Sequence, residues 1–326
     1  MNRRLVFDRY GKPEEVLRVE EAPVPAVKEG ELLVRMLRRP VNPYELALIS
    51  GGDRQPGQPV VPGFEGVGIV EHVPDGAAIF RTGQRVIPTP VDLPGTWQDL
   101  VTGAPDKFIP VPDAISDTQA CLIVNPLTCL AIIRDVLDIR EGQWVLNTGA
   151  SMNVGQLLVQ FSRIFKFKLI NVVRDRIAAE QMRAMGAEHI INTQKEDIMV
   201  ITRHLTKGSG TSAVIDPVGG ITGTQAAATL GFGGRMILFS DLSKQPVSVD
   251  PMLFISKKLT VSGYTSLHWL SGNSYERKAA FVGELFGLLA DGSLELRADE
   301  AFALDDFAAA IRRSRSSGRP GKVILV

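Results

Sequence analysis

The stretch "NTGASMNVGQLLVQ", residues 147–160, decides the fold of this chain. It continues "QWVLNTG" (143–149), an apolar run typical of a buried strand, into Val154, Leu157, Leu158 and Phe161, apolar residues at helical spacing. A turn from strand to helix gathers free backbone N–H groups and the positive end of the helix dipole at one point, and a pyrophosphate fits there. Gly149 permits a sharp exit from the strand, and Gly155 permits the helix to lie close against it. Asn153 stands where the usual glycine-rich fingerprint has its second glycine. Asparagine is the residue next best able to take a left-handed backbone. The turn is either a dinucleotide site or a purely structural corner, and its place in a strand–helix–strand unit favours the first.

The following strand points to the nucleotide. "KLINVVRDR" (168–176) ends not on a lone acid for a ribose 2′-hydroxyl but on Arg174, Asp175 and Arg176. Two arginine forks match a 2′-phosphate, so NADP(H) is expected rather than NAD; the alternative is a pair of solvated arginines opening a helix.

Working outward, apolar strands alternate with helical stretches from about residue 119: "KLINVV" with "RIAAEQMRAMG", "HIINT" with "EDIMVITRHLTKG", "SAVIDPV" with "ITGTQAAATLGFGG". That alternation predicts an α/β fold with a doubly wound parallel sheet. Before it, short β-rich runs such as "ELLVRMLRRPVNP", "EGVGIVEHV" and "GQRVIPTPV" are punctuated by Gly and Pro, which predicts a mostly antiparallel β domain. The tail holds two amphipathic helical stretches and a terminal β run, expected to return to the first domain. The expected division is therefore 1–118 with 265–326, and 119–264.

Lys+Arg and Asp+Glu are equal at 36 each, which argues against a nucleic-acid partner or an anionic membrane surface. No run is long and apolar enough for a transmembrane helix, and the start lacks the apolar core of a signal peptide. Two cysteines suit a reducing compartment, so the expectation is a cytoplasmic protein.

With these features in order along the chain, the sequence resembles the medium-chain dehydrogenase/reductase superfamily, most closely NADPH-dependent 2-enoyl thioester reductases and quinone oxidoreductases. The resemblance rests on "GFEGVGIV" (63–70), "GTW" (95–97), "VNPLTCLAII" (124–133), "INVVRDR" (170–176), "MGAEHIINT" (185–193), "SKQPV" (243–247) and "GKVILV" (321–326). It implies a Rossmann domain inserted into a β-rich GroES-like catalytic domain, and a homodimer. By position it implies that Asn125 meets the nicotinamide half and that Ser151, Met152, Asn153 and Val154 face the pyrophosphate. Arg174, Asp175 and Arg176 would take the 2′-phosphate. Phe239, Ser240, Asp241, Leu242, Tyr264, Thr265, Ser266 and Lys322 would line the rest of the groove. Two departures stand out. "SDL" (240–242) replaces a small glycine pair, and the tyrosine that enoyl reductases carry after "NP" is missing, with Gly52 and Asp53 in the corresponding stretch.

Against the zinc enzymes of this superfamily, Phe64 replaces the "GHE" histidine and Asn42 the first ligand cysteine. Cys121 and Cys129 read as buried thiols, and His72, His189, His204 and His268 show no paired spacing. No catalytic zinc is expected. The chemistry left is hydride transfer to an electron-poor small-molecule acceptor, an enone, enoyl thioester or quinone, followed by protonation. Tyr44 falls on the position of the proton-relay residue of the zinc enzymes. It is either the proton donor or a buried tyrosine packing the β domain. Two other functions stay open: a zinc-independent NADP-dependent alcohol dehydrogenase, and a cofactor-binding protein with little catalysis.

Overall fold

In the computed structural model, residues 1–51, 57–89, 93–316 and 319–326 are described. Fifteen named strands and twelve named α-helices follow one another among them. The strands are β1 (Asn2–Val6), β2 (Arg18–Ala22), β3 (Leu32–Pro40), β4 (Val67–His72), β5 (Arg85–Pro88), β6 (Leu100–Gly103), β7 (Phe108–Pro110), β8 (Trp144–Asn147), β9 (Lys168–Val173), β10 (His189–Asn192), β11 (Thr211–Asp216), β12 (Leu230–Leu238), β13 (Thr260–Gly263), β14 (Ala298–Phe302) and β15 (Lys322–Leu325). The helices are α1 (Pro13–Val16), α2 (Pro43–Ser50), α3 (Asp117–Ala120), α4 (Val124–Ala131), α5 (Asn153–Ile164), α6 (Arg176–Ala184), α7 (Ile198–Leu205), α8 (Gly220–Ala228), α9 (Pro251–Lys257), α10 (Ser266–Ser271), α11 (Tyr275–Ala290) and α12 (Phe307–Arg315).

They form two compact units, Met1–Val124 with Leu270–Val326, and Asn125–Trp269. Both junctions fall inside helices, α4 and α10, a few residues after the changes in sequence texture at 118 and 264.

In the first unit a seven-stranded sheet runs β14-β15-β3-β4-β5-β7, with β6 pairing β3. All its ladders are antiparallel except β14–β15. The tail enters through β15, where Ile324 pairs Pro40 and Leu325 pairs Arg39. Alternating side chains of β3 put Leu32, Val34 and Met36 into one core with Val70, Val86 and Phe108. A second core joins Leu5, Phe7, Ile49 and Trp97 to Ile311, Val323 and Leu325 of the tail. Each such side chain, removed from water, contributes about 1.5–3 kcal/mol.

In the second unit six parallel strands run β10-β9-β8-β11-β12-β13. The chain moves outward from β8 to β10 on one side, then from β11 to β13 on the other. The β8–β11 boundary is therefore the point where the order reverses, and the crevice outside the strand ends there is where such sheets bind ligands. Leu146, Ile170, Val172, Ile191, Val214 and Met236 are buried together on one face. Val154, Leu157, Leu158 and Phe161 of α5 are buried, as their helical spacing predicts.

Candidate functional site

The turn between β8 and α5 sits at that reversal. Gly149 has φ +59°, and a Cβ on Gly155 would come within 2.3 Å of the Ala150 carbonyl oxygen, so both glycines are required by geometry. Asn153 differs from expectation. It is the first residue of α5 with ordinary helical backbone, and the non-glycine residues with positive φ are Asp138, Lys166, Lys207, Lys244 and Lys258. Gly149 alone makes the sharp turn, so position 153 has no need of a left-handed residue.

Asp175, Asp197 and Asp250 accept backbone N–H bonds at the starts of α6, α7 and α9, whereas neither Met152 before α5 nor Gly219 before α8 supplies a side-chain cap. Among the described residues no side chain accepts from the first N–H groups of this twelve-residue helix, which fits a pyrophosphate. Ser151, Met152 and Asn153 are partly exposed there, while the Val154 side chain belongs to the core and only its backbone can serve a ligand.

Past β9, Arg174 is open to solvent, its side chain 89% exposed and 3.7 Å from Asp175. Asp175 is engaged by its helix, accepting from Ala178 N at 2.9 Å. Arg176 is 70% exposed and pairs with Glu180 one turn on. Beyond β12, Ser240, Asp241 and Leu242 are exposed and Phe239 is half-buried. This loop is tied to the one after β11 by Phe239 N to Asp216 O at 3.2 Å, Leu242 N to Pro217 O at 3.2 Å and Ser243 N to Val218 O at 2.9 Å. Thr265 caps His268 through its hydroxyl oxygen, with Ser266 beside it. Asn125 is partly exposed on α4. Tyr264 differs from a groove-lining side chain: its ring is buried, and burial pushes its phenol above the ordinary tyrosine range. What it can offer a ligand is backbone.

In the first unit a buried polar cluster surrounds the start of α2. Pro43 opens the helix, and Asn42 precedes it but does not cap it. Its amide Nδ2 donates instead to Oε1 of Glu45 at 3.1 Å and of Glu65 at 2.9 Å. Glu65 also accepts the Lys322 ammonium on Oε1 and Val124 N on Oε2 at 3.1 Å. Glu45 accepts Phe64 N at 3.2 Å, while its Oε2 has no partner among the described residues. Gly63 places this stretch: at φ +109° a Cβ would lie 2.4 Å from Thr96 Oγ1. Burial, then the neighbouring Glu65 charge, raises the Glu45 carboxyl to about 7.

For Lys322 the resemblance implies a cofactor contact; the structure buries its ammonium and pairs it with Glu65, since a cation this deep requires a carboxylate. Tyr44 is 54% exposed, with its ring edge-on to Phe64 at 4.7 Å, which excludes a buried packing tyrosine. Gly52 and Asp53 lie outside the described residues. Cys121 and Cys129 are both buried, which raises their thiols, and among the described residues no three His, Cys, Asp or Glu side chains gather as a metal would need. Sequence reasoning missed Glu45, Glu65, Thr148 and Asp216. The acid after Phe64 and the "DPVGG" at 216–220 were the available signals.

Two families match in this order along the chain. "Alcohol dehydrogenase GroES-like domain" covers residues 28–113, and "Zinc-binding dehydrogenase" covers residues 153–281. The mitochondrial enoyl-[acyl-carrier-protein] reductase of Arabidopsis thaliana is 30% identical over 99% of this chain and 88% of its own. A crystal structure assigned to an NADPH:quinone reductase of Bacillus thuringiensis superposes with TM-score 0.90 at 31% identity, covering 100% of this chain and 98% of that one. Escherichia coli quinone oxidoreductase, solved with NADPH, superposes with TM-score 0.85 at 25% identity over 100% of both chains. The chain is an oxidoreductase, and it belongs to the medium-chain dehydrogenase/reductase superfamily, beside the enoyl and quinone reductases.

Proposed function

We propose that this protein is an NADPH-dependent reductase of activated double bonds or quinones. The observation that carries the reading is the uncapped N-terminus of α5 at the reversal point of the parallel sheet, followed one strand later by two exposed arginines. The relatives support it, being an enoyl reductase, a structure assigned to an NADPH:quinone reductase, and a quinone oxidoreductase solved with NADPH. When bound, NADPH supplies the hydride. Since a hydride carries hydrogen with both electrons, one further proton would complete the reduced acceptor. The α5 donors hold the pyrophosphate, Arg174 and Arg176 select the 2′-phosphate, and Tyr44 presents a phenol to the acceptor oxygen. Fixing the two reactants together supplies most of the acceleration, since neither step needs a strong acid.

A homodimer belongs to the same reading. β13 ends the six-stranded sheet with Thr260, Ser262 and Gly263 exposed, and α9 beside it exposes Met252 and Ile255. A free strand edge with apolar neighbours is a template for a second copy. Sedimentation at micromolar concentration tests it; a monomer there rejects it.

The functional test is an NADPH-oxidation screen across quinones, enones and enoyl thioesters. Turnover is expected in at least one class. NADPH binding without turnover in any class, or NADP⁺-dependent oxidation of simple alcohols alone, overturns the proposal.

A further inference from the structure

At the reversal point of the second unit's sheet, one carboxylate receives bonds from three directions. Asp216, the last residue of β11, is 0% exposed. Its Oδ1 accepts the hydroxyl of Thr148, the residue after β8, and Val218 N at 2.8 Å. Gly219 N reaches both oxygens, at 3.2 and 3.1 Å. A Cβ on Gly223 would come within 2.3 Å of Oδ2, so α8 packs directly on the carboxylate. No basic side chain among the described residues pairs with it. A buried carboxylate without a cation is held by its donors alone, and removing one leaves a costly unpaired charge.

Those donors belong to segments that bound the crevice. Thr148 immediately precedes Gly149 and the uncapped start of α5. Drawing two successive N–H groups inward bends the 217–220 turn, where Gly219 and Gly220 take φ +72° and +56°. That turn in turn carries the loop after β12, through Leu242 N to Pro217 O, Ser243 N to Val218 O and Gly220 N to Gln245 O.

We infer that Asp216, through Thr148, is a positioning residue for the cofactor: it locks the pyrophosphate turn of β8–α5 in register with the two neighbouring loops. The inference rests on the NADPH reading above. Loss of the Thr148 hydroxyl removes the side-chain tie between the β8 turn and the other two loops, while the backbone bond from Thr148 N to Ile215 O at 3.1 Å keeps both strands paired.

The test compares Thr148→Val with Thr148→Ser and a matched control, Thr211→Val. Thr211 lies at the opposite end of β11 and shares a buried hydroxyl contact of 3.3 Å with Thr229, away from the crevice. NADPH dissociation constants are measured by calorimetry, with kcat and KM for NADPH in any variant that turns over. Thr148→Val is expected to weaken NADPH binding about tenfold and raise its KM equally, with kcat at saturating NADPH within about twofold. Thr148→Ser should recover the parent affinity, and Thr211→Val should lose thermal stability without losing affinity. Thr148→Ala replaces the valine variant if that one fails to fold. Parent protein that does not bind NADPH overturns the functional reading itself. Parent binding with unchanged affinity in Thr148→Val, or equal losses in Thr211→Val, overturns the positioning role alone.

Discussion

Lys322 and Glu65 form a buried ion pair across 257 residues of chain, joining the terminal strand β15 to the loop before β4. Neither side chain reaches bulk water. Removing one partner strands the other as a buried charge, which typically costs about 3–5 kcal/mol, whereas removing both costs far less. Lys322→Met is therefore expected to destabilise the protein by roughly that amount in urea unfolding. Adding Glu65→Gln should restore a large part. Strictly additive losses would show that the two charges are not coupled.

Glu45, in the same cluster, sets a pH dependence. Its carboxyl is raised from 4.5 to about 7, chiefly by burial and then by the Glu65 charge. The folded protein therefore holds a proton there that the unfolded chain has released. That contribution to stability is fully present below about pH 4.5 and is lost as pH rises through about 7. Its size is on the order of 3 kcal/mol from 1.36 kcal/mol per unit. Glu45→Gln should flatten stability between those two pH values; an unchanged slope would place the titration elsewhere.

Much of the fold is local in the sequence. Gly149 and Gly155 announce the pyrophosphate turn because their steric reason lies within six residues of chain, and the β8–α5 periodicity is buried as its spacing predicts. The buried acids are not local. Glu65 finds Lys322 only when β15 reaches the sheet, and Asp216 finds Thr148 only when β8 and β11 pair. In the sequence each looks like an ordinary charged residue. At Asn153 the fingerprint position makes no backbone demand: Gly149 takes the positive φ, and residue 153 is ordinary helix. Arg174 and Arg176 after β9 are exposed, as charged residues opening a helix are expected to be.

Those arginines carry the cofactor prediction. NADPH is expected to bind at least about tenfold tighter than NADH, about 1.4 kcal/mol, from charge-assisted bonds to the 2′-phosphate. Arg176 must share itself with Glu180, so Arg174 should supply the larger part. Replacing both with alanine should erase most of the preference in titrations against the two nucleotides. Equal affinities in the parent protein would remove the basis of the reading.

Phe64 and Asn42 stand where the superfamily's zinc enzymes carry ligands, and here one packs on Tyr44 while the other bridges two carboxyls. The purified protein is expected to carry no stoichiometric zinc and to keep its activity in chelator. One zinc per chain by elemental analysis contradicts that expectation.

Tyr44 brings the proton question to one residue. It is the second residue of α2, its ring is held edge-on by Phe64, and Phe64 is in turn held by its backbone N–H on Glu45. The phenol is thus fixed on its own unit yet more than half exposed. A phenol can give a proton to an enolate or bond an acceptor oxygen without releasing it. Tyr44→Phe keeps the ring and its contact with Phe64 and removes only the hydroxyl. If the proton step contributes to the rate, kcat/KM should fall about ten- to a hundredfold, roughly 1.4–2.7 kcal/mol, with NADPH affinity nearly unchanged. A solvent isotope effect on kcat, lost or altered in the variant, would locate the change in proton transfer rather than in acceptor binding. Full activity in Tyr44→Phe rules the phenol out, and water becomes the donor.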